Sequence, residues 1–316
     1  MNYIDKNFYA LIEEFKNKDE IALYTHMYDK FKQIPFQTQE SFESFFKQFD
    51  YWGDLDLKNG NYQFLFLKAQ VFKKHYKDYV WLYRKLQDYR SKQTLFAILN
   101  NFYNFDFASL PLVTENIFKH YFDLDIIPKF ENQTFVDVGA FSGDSTLDFI
   151  QSYGEKYKKI YCFDITPQSL EQLKQNLSAF SNICCIGKAV SNKSEIKYLK
   201  ENIFSSSANQ TCSDGKIKIE TTTLDEQIHE KIGMLKMDIE GGELKAIKGC
   251  KEHLKNDKPL LLISVYHNNT DLFKIPKLIH HFQKEYSFYL RYYGGPLYAT
   301  EIVLIALPKK SKKIYT

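Results

Sequence analysis

The sequence predicts an α/β protein: a doubly wound, mostly parallel sheet with an all-helical region in front of it. Three observations carry this expectation. Eleven of the thirteen glycines lie at or after Gly139, with only Gly53 and Gly60 before it, so turn punctuation is concentrated in the later part of the chain. The earlier part places apolar residues at three- and four-residue steps instead. The later part alternates short apolar runs with polar stretches of about 10–15 residues, the pattern of strands joined by helices.

The helical region is expected over residues 1–127. In QFLFLKAQVFKKHYKDYVWLYRKL, the residues Leu65, Ala69, Phe72, Tyr76, Tyr79 and Tyr83 fall on one helical face. Similar spacing in YIDKNFYALIEEFKNKDEIALYTHMYDKF and SKQTLFAILNNFYNF brings the expected total to four or five helices. Tyrosines at this spacing are read chiefly as core, with sugar stacking as the alternative. The region is expected to serve substrate contacts or homo-oligomer contacts.

The second domain is expected over 128–316. TFVDV reads as the first strand, followed by a helix near Gly143–Tyr153. KIYCFD is the second strand, and PQSLEQLKQNLSAF a helix with Pro167 in its first turn. NICCIGKAV reads as a third strand, and IKYLK with KIKIETTTL as an extended excursion. GMLKMDI is a fourth, parallel strand leading into a helix, GELKAIKGCKEHL. PLLLISVYH is a fifth, followed by a helix near Ile275–Tyr286, and FYLRYY and EIVLIAL form a terminal pair that adds an antiparallel strand. Ligands of such sheets sit at the carboxyl ends of the strands. That places Asp137, Asp164, Ala189, Asp238 and His267 around one crevice.

Composition narrows the function classes. A formal net charge of +3 implies no dedicated nucleic-acid surface, and the basic tail PKKSKKIYT reads as a solvated terminus. MNYIDKNFYALIEEF is charged and amphipathic, unlike a signal peptide, and no run of about 18 apolar residues suggests a membrane span. The five cysteines form no CxxC pair, and their odd number fits neither a zinc site nor a disulfide framework. A reduced, cytoplasmic protein is expected.

The turn in TFVDVGAFSGDST carries Phe141 where a dinucleotide fingerprint has its middle glycine. That glycine lets the backbone approach a pyrophosphate, so a ligand without one is favoured. Asp164 stands about 20 residues further on, where an acid accepts hydrogen bonds from ribose hydroxyls; capping the helix after Thr166-Pro167 is its alternative role. S-adenosyl-L-methionine offers a ribose, an adenine, a carboxylate for a helix N-terminus and a sulfonium that suits nearby carboxylates or aromatic rings. In LKMDIEGGEL, Lys236, Asp238 and Glu240 alternate at period two before Gly241-Gly242 turns into a helix containing Glu243. A buried Lys236 would need a carboxylate, with Glu240 or Glu243 as its expected partner.

The ordered pieces DVGAFSGDS, FDITPQSLEQLKQNL, GKAVS, SSS, TTTLDE, LKMDIEGGELKAIKGC and PLLLISVYH resemble the FkbM-type S-adenosylmethionine-dependent methyltransferases, over about residues 130–305. The resemblance implies a Rossmann-like class I methyltransferase fold and O-methyl transfer to a hydroxyl of a sugar, nucleotide-sugar, surface glycan or secondary metabolite. It implies that Asp137, Gly139, Ala140, Phe141, Gly143, Asp144 and Ser145 border the cofactor. Asp164 would take the ribose, Ile165 would also border the cofactor, Ala189 and Val190 would flank the adenine, and Asp238 would hold the methionyl amine. An alcohol needs a general base at neutral pH, and His267 is the first candidate. Asp238 is its alternative, with Glu240 and Lys236 beside it. Ser206 and Ser207, in ENIFSSSANQTCSDG, are expected on the acceptor side with Tyr266 and His267. The chain departs from the family at Asp164, where many members have Glu in an F-E-P motif, and in Ser264–His267, where an acid often precedes the His. Asp238, Glu240 and His267 match no recognised metal motif, so a metal-free route is expected, with a bound divalent cation as the alternative. A noncatalytic adenosine-cofactor-binding module with an assembly role is the second function class. An NAD-dependent oxidoreductase, the third, is disfavoured by Phe141.

Overall fold

The computed structural model describes residues 2–49, 51–200, 210–213, 215 and 217–309. The chain divides into two compact units. The first comprises Met1–Asn116, Val265–Lys274 and Tyr289–Val303; the second comprises Ile117–Ser264, Ile275–Phe288 and Leu304–Thr316.

The first unit is built on α1 (Tyr3–Asn17), α2 (Glu20–Gln33), α3 (Phe36–Gln48), α4 (Gln63–Lys85) and α5 (Tyr89–Asn104). Asn2, Asp19 and Asp88 cap α1, α2 and α5, each side chain accepting from a backbone N–H three residues on. The core is aromatic. Phe8 stacks on Tyr83 at 3.8 Å between ring centroids, Phe15 on Phe72 at 4.2 Å, and Phe31 meets Phe42 and Phe64 edge to face. Tyr79 and Tyr83 are core, as their spacing predicts, whereas Tyr76 is only half-buried. The reason is local: α4 kinks at His75 (φ −117°, ψ 15°), which takes Tyr76 out of the row that begins at Leu65. Two later segments complete this unit. Arg291 pairs with Asp88 at 2.7 Å, Ser91 Oγ accepts from the Leu290 N–H at 2.8 Å, and Trp52 Nε1 donates to the Tyr266 carbonyl at 2.7 Å.

The second unit holds β1 (Thr134–Val138), α6 (Asp144–Tyr153), β2 (Lys159–Phe163), α7 (Pro167–Asn176), β3 (Ile183–Ile186), β4 (Ala189–Val190), β5 (Ile196–Lys200), β6 (Gln210–Cys212), β7 (Lys218–Thr222), α8 (Leu224–Gln227), β8 (Ile232–Met237), α9 (Glu243–Lys248), α10 (Lys251–Asn256) and β9 (Leu260–Ser264). The remaining elements are α11 (Asp271–Phe282), β10 (Tyr286–Tyr292) and β11 (Ile302–Pro308); each of these runs across a boundary between the units. The main sheet has the order β10-β11-β9-β8-β1-β2-β3. The pairs β1–β2, β1–β8, β2–β3 and β8–β9 are parallel. Every residue of β1 and β9 is buried, as expected where helices cover both faces of a parallel sheet. The strand order reverses between β1 and β8, so the crevice of this doubly wound fold lies at the carboxyl ends of those two strands.

Three expectations change. NICCIGKAV is not one strand: it breaks at Gly187-Lys188, and Ala189–Val190 joins β7 in a second sheet of order β4-β7-β5-β6. GELKAIKGCKEHL is two helices, because the backbone leaves helical geometry at Gly249 (φ −82°, ψ 5°) and Cys250 (φ −119°, ψ 18°); glycine is also needed there, since a Cβ would fall 2.0 Å from the Ser191 carbonyl oxygen. The final helix starts at Asp271, before Ile275, and ends at Phe282. Among the described residues, no helix is long and apolar enough to cross a membrane.

Candidate active site

The loop after β1 is built by close backbone approach. Gly139 and Ala140 both donate their N–H to the Phe163 carbonyl at 2.9 Å, which ties the loop to the end of β2. Gly139, Phe141 and Gly143 all have positive φ, at 80°, 46° and 91°. At Gly139 glycine is obligatory: a Cβ would lie 1.8 Å from the Asp238 carbonyl oxygen. The ends of β1 and β8 therefore touch main chain to main chain. Gly139→Ala is expected to cost about 3 kcal/mol or more, read as lost soluble yield or a lower midpoint in urea; a wild-type midpoint would contradict this packing. Phe141 adopts the left-handed region despite its side chain, held by its N–H donating to Asp164 Oδ2 at 3.0 Å. Gly143 then opens α6 with no side-chain cap, which leaves the helix N-terminus to an anion.

Asp137 and Lys236 form the floor. They face each other on paired strands, with Lys236 Nζ 3.0 Å from Asp137 Oδ1 and both side chains buried. Ser145 and Thr146 donate to Asp137 Oδ2 at 2.6 and 2.7 Å, while Lys236 also donates to the Gly139 carbonyl at 2.7 Å. Burial alone would lower the Lys236 pKa, but the Asp137 and Asp238 carboxylates outweigh it and hold the ammonium above its ordinary value. The partner of Lys236 is thus Asp137, not Glu240 or Glu243. Glu243 Oε1 instead accepts from the Ile239 N–H at 2.9 Å, fastening the turn after β8. Within that turn Glu240 and Gly241 have φ of 55° and 95°.

Asp164 follows β2 directly and is half-buried, and burial raises its pKa against the backbone donors that lower it. Its Oδ1 accepts from the Thr166 N–H at 3.0 Å and its Oδ2 from Phe141, so it turns the chain ahead of α7, whose N-cap Thr166 has no side-chain cap, and the same carboxylate locks the glycine turn. Each oxygen keeps acceptor capacity for a hydroxyl. Beside it, Ile165 packs on a small apolar cluster of Ala189, Leu199 and Ile219, and Val190 is also buried. Asp144 is exposed at the start of α6.

Asp238 accepts at Oδ2 from the Tyr121 hydroxyl at 2.6 Å. Tyr121 is buried, has a φ of 72°, and lies with its ring centroid 5.3 Å from Lys236 Nζ. His120 stacks on it at 4.0 Å, and burial lowers the His120 pKa to about 4. Sequence reasoning missed both residues. They lie in FKHYFDL, between the helical periodicity and the first strand, with no spacing or turn signal to mark them.

Tyr266 and His267 belong to the first unit. There His267 is buried, its ring 5.1 Å from Tyr51 and 4.1 Å from Tyr266, and the Tyr266 hydroxyl donates to Glu301 at 3.2 Å. Ser206 and Ser207 lie outside the described residues.

In chemical terms, the second unit presents an uncapped helix N-terminus, a half-buried carboxylate beside the glycine turn, an apolar ledge and a tyrosine-held carboxylate. Residues 137–291 match the family model described as the methyltransferase FkbM domain. Among solved structures, the methyltransferase FkbM from Methylobacillus flagellatus KT is similar over 78% of this chain and 63% of that one, at 24% identity and a TM-score of 0.66. The chain thus spans less than two thirds of that protein, and the likeness is one of fold. An rRNA methylase from Streptococcus thermophilus matches over 57% of this chain and 89% of that one, at 16% identity and a TM-score of 0.38. Aeropyrum pernix fibrillarin, solved with natively bound S-adenosyl-L-methionine, matches over 57% and 68%, at 12% identity and a TM-score of 0.36. No curated protein matches the sequence.

Proposed function

Since residues 137–291 belong to the FkbM methyltransferase domain family, we propose that the protein is an S-adenosyl-L-methionine-dependent O-methyltransferase acting on a hydroxyl of a sugar, nucleotide-sugar or surface glycan. The observation that carries this reading is the Phe141 turn. It is pinned by Asp164, with an uncapped α6 behind it, and so offers a ribose acceptor and a carboxylate site without a pyrophosphate cradle. The residues fit this donor. Asp164 takes the ribose hydroxyls, the amides at Asp144 and Ser145 face the methionyl carboxylate, Asp238 takes the methionyl amine, and Ala189-Val190 with Ile165 flank the adenine.

When bound, the donor supplies an electrophilic methyl carbon on sulfur. The chain's own residues position the acceptor oxygen in line with it and remove the hydroxyl proton. His267 is the proposed base, with Asp238 as its alternative; Lys236 and Tyr121 hold Asp238 and the loop in place. Tyr266, Ser206 and Ser207 are proposed on the acceptor side. Turnover before and after chelation, with Mg²⁺ added back, separates the metal-free route from the cation alternative.

Two substitutions test the assignment. Asp164→Asn is expected to weaken donor binding at least about tenfold in calorimetry, since it removes the charged acceptor; unchanged affinity would remove the ribose assignment. His267→Asn is expected to lower turnover about 100-fold or more with donor affinity nearly unchanged, and a wild-type rate would exclude it as base. The burial of His267 favours a second reading, a noncatalytic donor-binding module with an assembly role. Donor binding without a methylated product across broad sugar and glycan acceptors would select it.

A further inference from the structure

A groove of about 810 Å³ lies wholly within the helical unit, between α1 and α4, a volume in the range of ligand sites. Tyr9, Glu13 and Lys16 face it from α1 at steps of four and three residues. On α4, Tyr76 and Arg84 belong to one four-residue row, and Lys77, Trp81 and Lys85 to the adjacent one. The kink at His75 feeds this groove by releasing Tyr76 from the core row. Tyr9, Tyr76 and Trp81 are all half-buried, so each exposes part of an aromatic surface.

The charge of the groove is one-sided. Lys16, Lys77, Arg84 and Lys85 face a single carboxylate, Glu13, which already pairs with Lys16 at 3.1 Å and accepts from Asn17 at 3.3 Å. Lys77 and Lys85 sit 5.8 and 5.9 Å from the Tyr76 and Trp81 ring centroids. Arg84 is exposed and pairs with no carboxylate among the described residues.

We propose that this groove binds an acidic oligosaccharide, a short run of sugar rings bearing carboxylates. The C–H faces of sugar rings lie on Tyr76 and Trp81, and the guanidinium fork of Arg84 matches a carboxylate with two parallel hydrogen bonds. Glu13 accepts hydrogen bonds from ring hydroxyls, donors that a deoxyribose-phosphate backbone lacks. The groove is short and the net charge of the chain is only +3, which separates it from a nucleic-acid track. The proposal does not rest on the methyl-transfer reading.

The test uses the full chain and a tetrasaccharide of alternating glucuronate and N-acetylglucosamine, with neutral chitotetraose and a short oligo-dT as comparators. Only two tryptophans are present, and Trp52 is buried, so a change in indole fluorescence reports Trp81. The acidic tetrasaccharide is expected to saturate the signal below about 1 mM and to weaken with salt. The double variant K77A/R84A is expected to lose about tenfold or more in affinity, with its melting point and donor binding unchanged, because both side chains are exposed. Chitotetraose binding as tightly, no saturation below that concentration, or an unaffected double variant would overturn the proposal. Tighter binding of oligo-dT would overturn it in favour of single-stranded nucleic acid.

Discussion

Lys68→Met is expected to stabilise the protein at neutral pH, by about 3–5 kcal/mol at the upper bound. Lys68 sits on α4 with 4% of its surface exposed. Its ammonium lies 3.8 Å from the centroid of Phe102 and 5.0 Å from that of Trp52, with no carboxylate partner among the described residues. Burial lowers its pKa from 10.5 to about 7, because the rings return only part of the lost hydration. The unfolded chain therefore binds the proton more tightly than the folded one between pH 7 and 10.5. Over that window the wild type gains stability as pH rises, and below it the penalty is constant. Methionine keeps the stem and removes the charge. Urea melts of both proteins should differ most at pH 7 and below and converge towards pH 10.5. A gap that does not narrow with pH would show that the amine is not the cause.

Lys236→Met should act in the opposite direction and as strongly. Its removal leaves the Asp137 carboxylate fully buried beside Ser145 and Thr146 without its cation, a loss of about 3–5 kcal/mol. The Gly139 carbonyl loses a donor as well, so donor binding should fall together with the melting point. Adding Asp137→Asn to this variant should restore part of the stability, because the uncompensated charge is gone. A double variant less stable than the sum of the two single ones would show that the pair is not the unit of stability.

Much of this was legible in the sequence because it rests on local signals. Glycine distribution, three-to-four spacing and alternating apolar runs are local, and they marked the helices, the parallel strands and the Phe141 turn. What was not legible depends on distance along the chain. Lys236 finds Asp137 rather than the nearer Glu240 or Glu243, because strand pairing brings residues 137 and 236 opposite each other. Tyr121 reaches Asp238 across 117 residues, and nothing local distinguishes it from other tyrosines. Tyr76 fits the helical period and leaves the core only because α4 kinks. NICCIGKAV carries strand propensity throughout, yet its last two residues pair with β7 in a different sheet.

The helical unit also has a consequence for the order in which the protein can be made. Helices α1 to α5 emerge before the sheet, but Trp52 waits 214 residues for the Tyr266 carbonyl, and Asp88 waits 203 for Arg291. A nascent chain that has released α1 to α5 still lacks the segments that complete their packing. The helical unit thus cannot close until those later segments have been made, and a fragment ending after α5 would expose the aromatic surfaces that the late segments cover. Chaperone demand should therefore peak while the sheet is being translated, and fall only when the final strand has been delivered.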